Sequence, residues 1–367
     1  MNVPPLDLQK QFAGIREEVM RKVEEVFASQ RYILGPMVEE LERQVAAGCG
    51  VKHGVGVASG SDALLLSLMA LGIKPGNVVV TAPFSFFSTV SSITRLGARP
   101  VFVDIEPDTM NLDPDLLAQV PLAGVKAIMP IHLFGQMARM EEIVSWAQSC
   151  SVAVVEDAAQ AIGAARLGRP AGNWGHLTGF SFYPTKNLGG AGDGGMIVTH
   201  SDEMAGHLRS LRDHGAKKRY FHDEIGLNSR LDALQAAILL AKLPHLKAWN
   251  EERRQLANLY RQKLANLPIK LPVELEGNDH IYHQFVIRVP EGRDALKASL
   301  FEQGISTEIY YPLPLHLQDC FSYLGYGLGD FPQAERAAQE VLALPIYPEL
   351  GEERLAFVAE AVRKFFE

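Results

Sequence analysis

The chain has 367 residues, 47% hydrophobic and 21% charged, with a formal net charge of -8. That length suits about two domains around a large core, and the acidic balance argues against nucleic acid as the main partner. Its three cysteines, Cys49, Cys150 and Cys320, lie far apart and form no CxxC pair. This argues against a metal or iron–sulfur site and a disulfide framework, and it favours a reducing cytoplasm.

The opening MNVPPLDLQKQF is polar and mixed, unlike a signal peptide. No apolar stretch reaches the ~18 residues needed to span a membrane. Short β-rich runs bounded by Gly, Pro or Asp read as buried strands at Asn77–Pro83, Arg99–Ile105, Lys126–Gly135 and Val152–Ala159. Helical patterns alternate with them at Ser61–Gly72 and Met140–Cys150. Two further strands, Gly179–Pro184 and Gly194–His200, flank Lys186. Strand–helix alternation with near-continuous apolar strands predicts a mainly parallel α/β sheet flanked by helices on both faces.

From Ser201 the pattern turns helical, through Ser201–Gly215 and then Leu231–Leu267, with a break expected at Pro244. A domain boundary is expected in this connection. Residues 1–250, the N-terminal segment included, form the large α/β domain, and residues 251–367 a smaller C-terminal α+β domain. In the latter His283–Val289 reads as a strand, while Asp294–Gly304, Pro332–Leu344 and Glu352–Glu367 read as helices.

Four places carry chemistry. Lys186 stands in SFYPTKNLGGAGDGG, directly after an aromatic strand. A Walker A loop puts its glycines before the lysine, so that reading fails. GAGDGG formally matches G-x-G-x-x-G, but a strand pattern follows it where a dinucleotide fold needs a helix. What remains is a surface charge, or a partly desolvated amine able to act as a nucleophile. Asp157 ends an apolar strand, where ligands of α/β sheets bind. It reads either as a helix N-cap or as the acid that pairs with a cationic heterocycle nitrogen. Gln160 stands three residues on. Ser59, Gly60 and Ser61 open a helix, with Ser59 and Asp62 in capping-box spacing, so this place is a plain cap or an anion site. Phe86 and Phe87 read as core or as a platform for a planar ring. An anion-binding helix end, an aromatic, a strand-end Asp and a lysine, in that order, is the order of fold-type I pyridoxal phosphate (PLP) enzymes.

These stretches resemble the DegT/DnrJ/EryC1/StrS sugar aminotransferases nearly end to end. The likeness rests on RYILGPMVEELE, SGSDALLLSLMALGIKPGNVVV, EDAAQAIGA, GFSFYPTKNLGGAGDGGMIVT, HGAKKRY, GLNSRLDALQAAIL, YYPLPLHLQ, GDFPQAE and LALPIYPEL. The resemblance implies a fold-type I aminotransferase that uses PLP to aminate a nucleotide-linked 3-keto or 4-keto sugar, with L-glutamate as donor and ping-pong kinetics. Lys186 would carry the cofactor as a Schiff base and shuttle protons. Asp157 would pair the pyridine nitrogen, and Gln160 would meet the ring oxygen. Gly60, Ser61 and Ser181 would hold the phosphate, and Phe86 would stack on the ring. Asn228 would reach the phosphate of a second subunit, implying a homodimer with shared sites. Tyr310, Tyr311 and His316 would line the sugar site, with His316 equally readable as a structural histidine. EIYYPLPLHLQDCF is more similar to the 3-amino branch than to the 4-amino branch. An aminotransferase acting on a cyclitol, or a non-catalytic regulator retaining the fold, are the rival readings.

Overall fold

The computed structural model describes residues 1–367. The apolar runs become seven short strands: β1 (His53–Val57), β2 (Val78–Thr81), β3 (Arg99–Phe102), β4 (Val125–Met129), β5 (Ala153–Asp157), β6 (Leu177–Ser181) and β7 (Gly195–Thr199). They form one sheet in the order β1-β7-β6-β5-β4-β2-β3. Only β7 runs antiparallel, to both β1 and β6; the remaining neighbours are parallel. Most residues of β5, β6 and β7 are buried. Such strands need helices on both faces, because each face is apolar.

The helices are α1 (Leu8–Ser29), α2 (Pro36–Gly48), α3 (Gly60–Ala70), α4 (Ser88–Thr94), α5 (Met140–Ser149), α6 (Asp202–Leu211), α7 (Ala233–Lys242), α8 (Leu246–Lys263), α9 (Arg293–Glu302), α10 (Pro332–Glu340) and α11 (Gly351–Phe366). Helix α3 is buried almost all round, with Ala63, Leu64, Leu65, Leu66 and Leu68 sealed from water. A helix apolar on every side belongs inside a fold, and this one packs on β6 and β7. Its close seating depends on glycine. A Cβ at Gly195 would stand 2.4 Å from the Ser59 carbonyl oxygen, and one at Gly60 would stand 2.6 Å from Ser181 Cβ. None of the glycines from Gly189 to Gly195 has a positive φ. The glycine-rich run therefore serves close backbone approach more than turning.

Pro244 does break the long helical pattern, as a single 3-10 turn (Leu243–His245) between α7 and α8. Two expectations need correction. The segment Val341–Leu344, read as the end of a helix, is a strand, β9, paired antiparallel with β8 (Phe285–Arg288). Its four apolar residues are all buried, and the ladder with β8 outweighs the helical spacing that precedes it. The strand expected over Lys126–Gly135 stops at Met129, because Pro130 can donate nothing to a ladder. The pattern also concealed α1, α2 and β1, whose HGVGV sequence has too few bulky residues to stand out.

Two main cores result. The larger joins the sheet to α2, α7 and the segment Leu315–Ala343. The second gathers α8, α9, α11, β8 and β9, with Val3 from the chain start. We propose a large and a small unit on this basis; a boundary between residues 250 and 251 falls inside α8. No helix is long and apolar enough to cross a membrane.

Candidate active site

A cavity of about 600 Å³ opens where β2, β5 and β6 end, at the carboxyl edge where open α/β sheets hold ligands. Gly60, Ser61, Phe86, Asp157, Gln160, Ser181, Lys186, Tyr310 and Tyr311, separated by up to 251 positions in sequence, all line it. The sheet order explains the convergence. β5 and β6 are neighbours, with Asp157 in register with Gly179, so their following segments emerge side by side.

Alternation along β5 sends Glu156 and Asp157 to opposite faces. Asp157 faces the cavity. Thr89 Oγ1 donates to its Oδ2 at 2.8 Å, and the Ala159 N–H to its Oδ1 at 3.3 Å. No helix begins after Asp157, so the N-cap reading fails. Burial raises the Asp157 pKa, against the pull of Thr89, Ala159 and Lys186. Such a carboxylate has a strong incentive to find a cationic partner.

Lys186 lines the same cavity, and its Nζ makes no ion pair with Asp157 at hydrogen-bonding range. Burial lowers its pKa to about 8 despite the attraction of Asp157. In the cofactor-free chain, labelling of the Lys186 amine should rise with pH through a midpoint near 8, since only the deprotonated amine reacts. A midpoint near the ordinary 10.5, read by peptide mass spectrometry, would contradict that desolvation.

Helix α3 points its N-terminus at the cavity, where the first N–H groups of a helix lack intrahelical partners. Ser59 Oγ caps it by accepting from the Asp62 N–H at 3.1 Å, so the cap reading holds. Ser61 Oγ lies 2.5 Å from Ser88 Oγ, which opens α4. Ser181 Oγ sits nearby at the end of β6, where it accepts from the Tyr183 N–H at 3.3 Å.

Gln160 is oriented by its neighbours. Its Oε1 accepts from the Phe134 N–H at 2.6 Å, and its Nε2 donates to the Tyr311 hydroxyl at 3.1 Å. Toward the cavity Gln160 therefore offers a donor. Burial keeps the Tyr311 phenol protonated by raising its pKa. The Phe86 ring is 56% exposed and lies 6.2 Å from Tyr311. Phe87 instead stacks on Phe321 at 5.3 Å.

One residue expected at the site of its own chain is elsewhere. His316 is 1% exposed and does not line the cavity. Its Nε2 lies 3.1 Å from Glu335 Oε1, and its ring packs against Phe102 and Phe331. Its surroundings match the structural-histidine reading. Asn228 is exposed and is likewise absent from the cavity of its own chain.

Sequence reasoning missed Thr89, Ser88, Tyr183, Asp193, His283 and Gln284. Thr89 is four residues after Ser85, and the hydroxyls of the two meet at 2.8 Å; that helical spacing was the one available signal. His283 is brought in from the strand β8 region by tertiary folding alone.

A model of the DegT/DnrJ/EryC1/StrS aminotransferase family matches residues 13–363. The chain is 49% identical over 369 residues to a Geobacillus stearothermophilus protein named pleiotropic regulatory protein, covering 100% of this chain and 99% of that one. It is 43% identical over 370 residues to the UDP-N-acetyl-3-dehydro-alpha-D-glucosamine 3-aminotransferase of Acidithiobacillus ferrooxidans, covering 99% and 97%. Among solved structures, S. venezuelae DesV in complex with a ketimine intermediate superposes with a TM-score of 0.97 at 41% identity, covering 100% of this chain and 99% of that one.

Proposed function

Because the chain belongs to the DegT/DnrJ/EryC1/StrS aminotransferase family, we propose that it transfers an amino group from L-glutamate to a nucleotide-linked keto sugar, with PLP as cofactor. The observation that carries this reading is the pairing, in one cavity, of a desolvated lysine with a buried aspartate. Carbon 3 is the favoured position, in line with the relative named as a 3-aminotransferase.

The residues fit the cofactor. The α3 N-terminus, the Ser61 and Ser181 hydroxyls and the tight seat made by Gly60 suit a phosphate. Asp157 suits a protonated ring nitrogen, Gln160 Nε2 a ring oxygen, and Phe86 a ring face. When bound, PLP supplies an aldehyde that carries the amino group and a ring that withdraws electrons from the reacting carbon.

The protein's own groups do the rest. Asp157 would pair with a protonated ring nitrogen and so help retain positive charge there. Lys186, whose burial lowers its pKa to about 8 and so makes its basic form accessible near neutral pH, takes a proton from one carbon and returns it to another, as a general base of suitable pKa. The phenols of Tyr310 and Tyr311 can donate to sugar oxygens at the mouth. Glutamate and keto sugar react in separate half-reactions, giving ping-pong kinetics. The exposed Asn228 would complete the phosphate site of a second copy in a homodimer, and the reaction suits a cytoplasmic enzyme.

The test is a panel. Purified chain with PLP and glutamate is offered UDP- and dTDP-linked 3-keto and 4-keto sugars, and 2-oxoglutarate is measured. Formation with a nucleotide-linked 3-keto sugar is expected. Formation only with a nucleotide-free cyclic ketone moves the substrate class to a cyclitol. No formation with any ketone would favour a regulatory role of the kind named for the Geobacillus relative.

A further inference from the structure

Behind the lysine runs a chain of buried hydrogen bonds that the roles above do not use. Asn187 follows Lys186 and is buried. Its Nδ2 donates to Asn250 Oδ1 at 2.8 Å and lies 3.4 Å from the Ile281 carbonyl. The Asn250 amide is oriented in turn, because its Nδ2 donates to the Ile162 carbonyl at 3.2 Å. With its nitrogen committed, Asn187 can only accept at Oδ1, and the group found there at 3.0 Å is His283 Nδ1. His283 Nδ1 must then carry the proton, which leaves Nε2 as a bare acceptor.

His283 lines the cavity together with Lys186. Its Nε2 has no partner within the chain, yet it is not among the polar atoms sealed from solvent; the ring borders the cavity and a smaller pocket beside it. Burial, with the charges of Lys186 and Arg253, holds the His283 pKa well below the ordinary value, so the ring stays neutral. The other titratable groups at this corner are Asp157, Tyr183, Asp193, Tyr310 and Tyr311 on the cavity wall, with Glu308 in the smaller pocket beside it. Arg253 backs the ring, donating to the His283 carbonyl at 3.2 Å.

We propose that His283 is a positioning residue for Lys186: when the free amine turns toward it across the cavity they share, its bare Nε2 accepts an N–H and so aims the amine's lone pair at the reacting carbon. The purpose of this bond rests on the transamination reading; the free Nε2 and its place beside Lys186 on the cavity wall do not. Asn187 adds precision, since it is joined covalently to Lys186 and by a hydrogen bond to His283. The direction of the bond is set as far back as Asn250.

Two substitutions separate the ring's two nitrogens. His283→Asn keeps a donor toward Asn187 and removes the cavity-facing acceptor. His283→Gln restores a polar atom near the Nε2 position. In the full chain, His283→Asn should lower kcat about 10- to 100-fold, the scale of a misaligned reacting group, with KM for both substrates within about threefold. The pH midpoint for labelling Lys186 in the cofactor-free protein should fall by about half a unit or more, because an acceptor that stabilises the ammonium is lost. His283→Gln should recover most of both. Asn250→Ala, which frees the Asn187 amide to rotate, should move the labelling midpoint in the same direction and serves if the histidine variants fail to fold.

The proposal is overturned if His283→Asn behaves as wild type while His283→Gln is impaired, for the ring then serves only Asn187. It is equally overturned if KM for the keto sugar rises while kcat and the Lys186 midpoint stay put, for His283 then contacts substrate. If the wild-type chain transaminates nothing but the Lys186 midpoint shifts as stated, the positioning role stands and the transamination reading falls.

Discussion

Lys186→Ala should reduce glutamate-dependent amination by about 10⁴-fold, the upper scale of a lost general base, while leaving the fold intact. The lysine lines an open cavity and holds nothing together through its Nζ, so truncation removes chemistry without removing a structural bond. The PLP-bound protein should also lose its absorbance near the visible–UV edge, since no other lysine lines the cavity. Lys186→Arg should be nearly as inactive. It keeps a positive charge beside Asp157, but a guanidinium does not deprotonate at working pH. An active arginine variant would mean that charge alone is required. A small primary amine added to the alanine variant should restore part of the rate, because the missing group is then supplied in solution. Steady-state rates and spectra of the three proteins decide the matter.

Glu156→Gln should destabilise the protein by about 3–5 kcal/mol, the scale of breaking a buried charged network. Glu156 is fully buried on the face of β5 opposite Asp157. Its Oε1 accepts from the Trp174 N–H at 2.9 Å, the Gly175 N–H at 2.7 Å and the Thr178 hydroxyl at 2.8 Å. Its Oε2 accepts from the Gly172 N–H at 3.2 Å and from His132 Nε2 at 2.9 Å. His132 must donate there, because its Nδ1 accepts from the Ala138 N–H at 3.3 Å. A carboxylate suits five donors; an amide would turn its own N–H₂ toward some of them. Burial alone would raise the Glu156 pKa, but His132 and the glycine amides hold it below the ordinary value. The linkage sign follows. A depressed folded pKa gives stability that is present above the unfolded value of 4.5 and is lost as pH falls through the folded one. Wild type should therefore weaken in acid, and the Gln variant should show less of that dependence. Denaturant unfolding at pH 7 and at pH 4 tests both, and a loss below about 1 kcal/mol at pH 7 would contradict the account.

Much of this was legible because the chemistry sits on strongly patterned segments. Asp157 and Ser181 end apolar strands, Ser59–Ser61 opens a helix with a readable cap, and Lys186 precedes a glycine run that only close packing explains. These signals are local, so the sequence displays them. What was hidden depends on partners distant in the chain. Asn187 and His283 meet at 3.0 Å across 96 positions, and no spacing rule connects them. His316 is expected at the sugar site together with Tyr310 and Tyr311, which line the cavity; the turn at Leu315–Leu317 instead sends it inward to Glu335. The strand Val341–Leu344 was misread for a related reason. Four apolar residues fit either period, and the pairing with Phe285–Arg288 decides. Asp157 and Glu156 sharpen the point: adjacent acids look alike in sequence, and the alternation of a strand gives one to the cavity and the other to the core.

The most direct test follows the nitrogen atom itself. The purified chain, loaded with PLP, is incubated with ¹⁵N-labelled glutamate and a UDP-linked 3-keto sugar, and the sugar product is weighed by mass spectrometry. The account predicts an amino sugar carrying the ¹⁵N label, formed by wild type and absent with Lys186→Ala. Label retained entirely in glutamate, or an amino sugar formed equally well without Lys186, would contradict it.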